Sequence, residues 1–198
     1  YVTQSPIYKG WQKVIVSSDK DFFQLCDGET VLYRPIQKTF VNKPRILAEH
    51  GIHPTNFALA RALAGDKSDN LPGIKGVGLA TISKRFPFFS GEESVTIDEL
   101  LEFCENDNTG LKVFSSILDG ASVIEENYKI MQLYSPSISI GGKNKIKHTL
   151  ENFEPQFNKT EIIKRITEDG FGNWDSSTLF ATFKRIASKA WQRMNNML

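Results

Sequence analysis

The segment from Gly65 to Gly78 limits the possible folds of this chain more than any other part of the sequence. It reads Gly-Asp-Lys-Ser-Asp-Asn-Leu-Pro-Gly-Ile-Lys-Gly-Val-Gly, so two acids precede a turn with three closely spaced glycines. Apolar spacing predicts a helix on each side, over residues 55–64 and 79–86. Because glycine has no Cβ, such a turn can adopt positive φ angles and lie close against another backbone. The sequence therefore predicts two helices joined by a tightly packed turn.

The same turn offers backbone N–H groups to an anion. At the start of the helix predicted over 79–86, these N–H groups and the helix dipole favour a phosphate, and Lys84 and Arg85 add positive charge. The alternative interpretation is structural: a helix end, a tight turn and a helix start that connect two packed helices. An acidic segment upstream favours the phosphate-binding interpretation.

That acidic segment, residues 13–25, begins with a β-branched run and continues with two aspartates. Val14–Val16 predicts a buried strand of an α/β sheet, and Asp19 and Asp21 follow its carboxyl end, where open α/β sheets place their sites. Two carboxylates in one loop can converge on a hard cation such as Mg²⁺ or Mn²⁺. The alternative is that one aspartate caps a helix beginning near Asp21 while the other is solvated.

Together, the two motifs resemble one known family. Ser-Ser-Asp-Lys-Asp-Phe at 17–22, followed by Gly-Asp-Lys-Ser-Asp-Asn-Leu-Pro-Gly-Ile at 65–74 and Gly-Val-Gly at 76–78, is similar to the 5′-nuclease superfamily. This superfamily includes flap endonucleases, the 5′-nuclease domain of bacterial DNA polymerase I and the phage 5′-3′ exonucleases, and the first motif most resembles the phage members. The resemblance is specific over residues 13–86. It implies an α/β fold: the carboxyl-terminal edge of a PIN-like (Rossmann-like) sheet, then a mostly α-helical part with a helix-three-turn-helix motif.

The resemblance also implies roles for particular residues. Asp19, Asp21 and Asp66 match the catalytic carboxylates of the family's second metal site, with Asp69 beside them, and we predict that they converge on one ion. Residues 56–86 match the helix-three-turn-helix motif that holds the DNA backbone. The DNA-binding residues predicted in this way are Lys67, Gly73, Ile74, Lys75, Gly76, Val77, Gly78, Thr81, Lys84 and Arg85.

The activity implied is hydrolysis of DNA phosphodiester bonds by a 5′-3′ exonuclease or flap endonuclease, with two Mg²⁺ or Mn²⁺ ions roughly 4 Å apart in the complete site. Carbonyl groups of the turn, at 74, 76 and 77, are the expected ligands of a potassium ion shared with a DNA phosphate. The expected partners are duplex or flapped DNA, or an RNA–DNA hybrid, and the expected state is a monomer with no membrane partner. The alternative function is a module that binds duplex DNA without cleaving it.

The start of the chain departs from the family pattern. Family members carry an early Asp and a Glu-x-x-x-Ala-Asp-Asp-type cluster before these motifs, which supply the first metal site. Here the sequence begins at Tyr1, without an initiating Met, roughly where the helix after that cluster would run. We therefore expect a fragment that holds the second metal site without the first and that is weakly active or inactive alone.

Charge and cysteine content fit this interpretation. The net charge of the 198-residue chain is only +1, but residues 34–85 carry nine basic and three acidic side chains. If the aspartates hold metal, that stretch is strongly basic toward a phosphate backbone. Cys26 and Cys104 lack the spacing of a zinc site or a disulfide framework, and no apolar run is long enough to cross a membrane. We expect a reduced protein in the cytoplasm of a bacterial or phage-infected cell.

Periodicity and breaker residues predict three parts. Residues 1–45 would be the remnant of the catalytic domain, 46–135 the DNA-binding region, and 136–198 a linker followed by carboxyl-terminal helices. Strands at 31–34 and 39–41 predict a hairpin, and the stretch 135–157, with Pro136, Gly141-Gly142 and Pro155, predicts a linker. Besides 79–86, helices are predicted over 43–50, 55–64 with Thr55 as N-cap, 96–106, 110–118, 121–134, 160–168 and 176–191.

Overall fold

The computed structural model describes residues 1–152 and 157–195, with side chains described for 1–152 and 157–188. Residues 153–156 of the predicted linker, Pro155 included, and residues 196–198 therefore lie outside the described residues. The chain is mixed α/β, as predicted, and divides into two compact units, Tyr1–Ser137 and Ile138–Leu198. The stretches predicted as catalytic remnant and DNA-binding region lie within the first unit.

A three-stranded sheet lies near the start of the first unit. Its strands, in the spatial order β1-β2-β3, are β1 Lys13–Val16, β2 Thr30–Arg34 and β3 Thr39–Val41. β1 runs parallel to β2, with Ile15 opposite Leu32, and β2 pairs antiparallel with β3, with Leu32 opposite Val41. The predicted hairpin is therefore present, at one edge of the sheet.

The prediction that Val14–Val16 is buried is wrong. Val14 is 48% exposed and Val16 is 66% exposed, whereas Leu32 and Val41 are buried in the core. The reason is that β1 is an edge strand and alternate residues point to opposite faces. Through the strand register, Val14 and Val16 share the outer face with Phe40, which is also exposed, and only the opposite face packs on the core.

Six α-helices and two longer 3₁₀ helices complete the first unit. They are the 3₁₀ helices Lys20–Leu25 and Pro87–Ser90, and α1 Lys43–His50, α2 Pro54–Ala64, α3 Leu79–Arg85, α4 Ile97–Glu105, α5 Lys112–Asp119 and α6 Ala121–Met131. Short 3₁₀ turns at Val2–Gln4 and Pro6–Tyr8 precede β1. α2 packs on the 3₁₀ helix Lys20–Leu25 and on α6, and most of its side chains are buried. This central helix positions the site.

Two of the helix ends that differ from the sequence prediction have a reason in the structure. α2 begins at Pro54, and its N-cap is His53, whose Nδ1 accepts a hydrogen bond from the Thr55 N–H at 3.3 Å. The prediction of Thr55 as N-cap is wrong because proline is well suited to the first helical position, which shifts the cap upstream. α6 ends at Met131 rather than 134. There the buried side chain of Gln24 binds the Met131 carbonyl at 2.9 Å and the Leu133 N–H at 2.7 Å, beyond the helix end.

The described part of the second unit contains three helices, α7 Ile140–Asn152, α8 Lys159–Glu168 and α9 Ser176–Asn195. Its described aromatic side chains cluster around Phe180, which is 6% exposed and has Phe157 and Trp174 within 6 Å of its ring centroid. The prediction of a continuous linker over 135–157 is wrong, because α7 occupies most of it. Gly141 and Gly142 fall in the first turn of that helix, where they do not interrupt it.

Within the described residues, every helix is too short or too polar to cross a bilayer.

Candidate metal centre and glycine turn

Asp19 and Asp21 lie in the connection after β1 and have different roles. Asp19 is exposed and acts as the N-cap of the 3₁₀ helix Lys20–Leu25, since its Oδ1 accepts a hydrogen bond from the Asp21 N–H at 2.8 Å. Its own N–H donates to the Ser17 hydroxyl at 3.1 Å. The capping part of the alternative is therefore confirmed for Asp19, but the expectation that the other aspartate is solvated is wrong, because the Asp21 side chain is only 17% exposed and faces the end of α2.

Asp66 and Asp69 lie just beyond the carboxyl end of α2. The backbone of Asp66 pairs with that of Leu71 through two hydrogen bonds of 2.9 and 2.8 Å, which closes a small loop. Within the loop, the N–H and hydroxyl of Ser68 donate to Asp66 Oδ1 at 2.8 and 2.5 Å. This loop fixes one oxygen of Asp66.

The two acidic segments meet. One carboxylate oxygen from each of Asp21, Asp66 and Asp69 lies within 4.8 Å of the others, and we refer to these three residues as the carboxylate cluster. Asp19 is outside this group but lines the same open cleft of about 510 Å³, together with Arg61, Asp66 and Asp69. The structure therefore brings together three of the four predicted ligands and places the fourth in the wall of the cleft.

Arg61 is the residue that the sequence interpretation missed at this site. It is the only charged residue of α2, and its guanidinium reaches both arms of the cluster: Nε donates to Asp21 Oδ1 at 2.8 Å, and Nη2 contacts Asp66 Oδ2. Nη1 also donates to the Gly65 carbonyl at 3.3 Å. A lone arginine in an apolar helix, near its end and just before an acidic motif, is a signal that could have identified it.

The environments of the two bridged acids differ. Burial raises the pKa of Asp21, and the hydrogen bond and positive charge of Arg61 offset only part of this effect. Hydrogen bonds from the Ser68 hydroxyl and N–H hold the pKa of Asp66 below its usual value, with a further contribution from Arg61. Asp66 is thus held as a carboxylate, while ionised Asp21 depends on a nearby positive charge.

The glycine turn, residues 72–78, is packed against the end of α2. The Ile74 N–H donates to the Leu63 carbonyl at 2.8 Å, and the Gly65 N–H donates to the Arg61 carbonyl at 2.8 Å. Ile74 and Val77 are buried at 8% and 3% exposure, so they anchor the turn and only their backbone could contact DNA. Gly76 has a φ of +81° and faces open space.

The basic residues that we predicted to contact DNA lie around the outside of this turn. Lys67, Lys75, Lys84 and Arg85 are exposed, and none of them forms an ion pair with another described residue. The Thr81 hydroxyl lies inward of them and donates to the Gly76 carbonyl at 3.3 Å. The turn and its flanking residues therefore present exposed positive charge.

Comparison with known proteins gives partial matches by sequence. No family model matches the chain. It is 36% identical over 81 residues to a 5′-3′ exonuclease of Aquifex aeolicus, covering 41% of this chain and 28% of that protein. It is also 36% identical over 76 residues to the thermostable DNA polymerase I of Thermus aquaticus, covering 38% of this chain and 9% of that protein.

Comparison of structures shows the fold. A T5 5′-exonuclease with bound zinc matches with a TM-score of 0.51 and 14% identity, over 60% of this chain and 42% of that one. The bacteriophage T5 D15 flap endonuclease, in a pseudo-enzyme-product complex with DNA and metal ions, matches with a TM-score of 0.52 and 14% identity, over 63% and 44% of the two chains.

These matches confirm the predicted resemblance to 5′-nucleases. The sequence relatives are named as 5′-3′ exonucleases and DNA polymerases I, and the fold matches that of a 5′-exonuclease. The chain spans less than half the length of each of these proteins.

Proposed function

We propose that this chain is part of a structure-specific 5′-3′ exonuclease or flap endonuclease that hydrolyses phosphodiester bonds of DNA. The observation that carries the proposal is the carboxylate cluster beside the glycine turn, in a chain related by sequence to 5′-3′ exonucleases. The cluster would hold a metal ion and the turn would hold the DNA. RNA primers paired to DNA are a further proposed substrate class, because the same site would recognise the shape of the duplex.

The donor set fits a hard divalent cation. Asp21, Asp66 and Asp69 offer only carboxylate oxygens, which Mg²⁺ and Mn²⁺ prefer, and the surrounding cleft has room for the waters that Mg²⁺ retains. A pair of such ions would activate the attacking water and stabilise the leaving oxygen. In this chain, Ser68 would orient Asp66, and Asp19 would keep Asp21 in place through its cap.

The glycine turn would bind duplex DNA by its phosphates. Exposed Lys67, Lys75, Lys84 and Arg85 supply positive charge that does not distinguish bases, so DNA would be recognised by shape and phosphate position. Carbonyls at 74, 76 and 77 would be the ligands of a potassium ion between turn and phosphate. Two of these already have partners, since Ile74 accepts from the Val77 N–H and Gly76 from the Thr81 hydroxyl.

A cleavage assay on a 5′-flapped duplex tests the proposal. It is run with Mg²⁺ or Mn²⁺, on this chain and on a version extended upstream, with Asp66→Asn and the exposed Asp98→Asn as variants. We expect weak cleavage by this chain, strong cleavage by the extended one, and loss of cleavage in Asp66→Asn but not in Asp98→Asn. Cleavage that survives Asp66→Asn would reject the assigned site.

The second candidate, duplex binding without cleavage, is favoured for the chain alone by one observation. Among the described residues, the carboxylate cluster is the only group of three such ligands found, whereas two-metal hydrolysis needs ligands for two ions. Strong cleavage by residues 1–198 that depends on Asp66 would exclude this candidate. Tight duplex binding with no cleavage by the extended chain would favour it.

A further inference from the structure

Arg61 occupies the position between the carboxylates that a cation would take. Its side chain is only 12% exposed, and those of Asp21 and Asp66 are 17% and 18% exposed. The guanidinium binds one oxygen of each acid, from two segments that are distant in sequence. Without a positive charge here, two poorly solvated carboxylates would repel each other.

On Asp66, the oxygen that Arg61 contacts is the one a metal ion would need. On Asp66, Oδ1 already accepts two hydrogen bonds from Ser68, so Oδ2, the oxygen in contact with Arg61, is the one left for a cation. On Asp21, Arg61 holds Oδ1 at 2.8 Å, and Oδ2 has no hydrogen-bond partner among the described residues. A divalent cation that binds Asp66 through Oδ2 must therefore share this oxygen with the guanidinium or displace it.

We propose that Arg61 is a positioning residue: an internal cation that holds Asp21 and Asp66 together and that a divalent ion displaces, so that Arg61 sets the affinity of the site. This inference rests on the metal site of the proposed function. This role differs from that of a purely structural ion pair in its effect on metal binding. Removing the charge of Arg61 should strengthen metal binding, whereas removing a structural pair would weaken it or leave it unchanged.

The test is Mn²⁺ binding, measured by calorimetry and by thermal unfolding, without DNA or turnover. Arg61→Met keeps an apolar side chain of similar length and removes the charge. We expect a lower melting temperature without Mn²⁺, about tenfold tighter binding of Mn²⁺, and a larger Mn²⁺-induced rise in melting temperature than in the parent chain. Arg61→Lys, which keeps the charge but loses the planar fork, should give intermediate values.

Arg45→Met is the matched control. Arg45 also binds a carboxylate, Glu49 at 2.6 Å, and a backbone carbonyl, that of Phe40 at 3.0 Å, but it is exposed and outside the cleft. Arg45→Met changes the net charge by the same amount as Arg61→Met, and it should leave the Mn²⁺ affinity within about twofold of the parent.

A measurement on the unmodified chain covers the case in which Arg61→Met does not fold. In NMR spectra, the Arg61 Nε–H resonance should lose its protection from solvent exchange as Mg²⁺ is added, while that of Arg45 should not. Equal or weaker Mn²⁺ binding by folded Arg61→Met, or an Arg61 resonance that stays protected at saturating Mg²⁺, would overturn the inference but not the metal site. Failure of the parent and of all variants to bind either ion would overturn both.

Discussion

The carboxylate cluster and the glycine turn lie at the same end of α2 but are held together by different interactions. The cluster consists of side chains from separate segments, with like charges, joined by the guanidinium of Arg61. The turn is held by backbone: Gly65 and Gly73 lie so close that no side chain fits between them, and Ile74 binds the Leu63 carbonyl. The two regions should therefore respond to different kinds of substitution.

This difference in the interactions that hold the two regions follows from the function proposed for each. A metal site needs charges that can be compensated in more than one way, and here two poorly solvated acids are bridged by the charge of an arginine side chain. A surface that holds phosphates by position needs a fixed backbone, which close packing provides. We expect the cluster to be sensitive to charge and the turn to be sensitive to added volume.

The largest effect is expected from adding one methyl group to the turn, in Gly73→Ala. A Cβ there would lie 2.0 Å from the Ala64 carbonyl oxygen and 2.7 Å from the Gly65 nitrogen. Because these are backbone atoms, they cannot rotate away, and the end of α2 or the turn must shift. We expect the free energy of unfolding, from urea denaturation, to fall by about 3 kcal/mol.

Gly78→Ala is the control for that substitution. A Cβ on Gly78 would meet no atom within 4 Å, and its φ of −102° is open to any residue. Stability should change by less than about 1 kcal/mol, the effect expected at a helix N-cap. Equal losses in the two variants would show that close packing does not hold the turn.

A smaller effect is expected from Asn127→Ala, which tests whether the turn also depends on a side chain. The buried amide of Asn127, on α6, donates to the Ala62 carbonyl at 2.9 Å and to the Pro72 carbonyl at 2.8 Å. It thus ties the end of α2 to the start of the glycine-rich part of the turn. Removing it leaves two carbonyls without this donor, and we expect a loss of about 2 kcal/mol of unfolding free energy.

Asn106→Ala provides the comparison for Asn127. Asn106 also donates to a helix carbonyl, that of Glu102 at 2.9 Å, but it is exposed, so water can replace the bond. Asn106→Ala should therefore lower the free energy of unfolding by no more than about 0.5 kcal/mol. If Asn127→Ala were equally mild, the turn would be held by its backbone alone.

The sequence predicted the turn better than the cluster, for a physical reason. The signals of the turn are local, since glycines at 65, 73 and 76 and apolar periodicity on each side determine the helix ends. The cluster depends on contacts between distant segments. The pattern Asp-x-Asp could not show that Asp19 would cap a 3₁₀ helix while Asp21 would face Arg61, because α2 decides which acid is bridged.

The same distinction explains the other differences. The strands and most helices follow from local periodicity, and they were predicted close to their observed bounds. The exposure of Val14 and Val16 depends on what covers the sheet, which β-branched composition does not reveal. Pro136 and the Gly141-Gly142 pair look like breakers, but their effect depends on where the helix begins, and α7 begins at Ile140.

The smallest effects are expected on the outer face of the turn, from Lys75→Ala and Lys84→Ala. Both lysines are exposed and form no ion pair with a described residue, so the fold should not change measurably. If each contacts one phosphate, each substitution should weaken duplex binding modestly and reduce the slope of log affinity against log salt by about 1, equally for unrelated sequences. Fluorescence anisotropy over a salt series, with Lys9→Ala as an exposed control remote in sequence from the turn, measures this. An unchanged slope in both variants would mean that phosphates approach the protein elsewhere, and the glycine turn would then be a connector between α2 and α3.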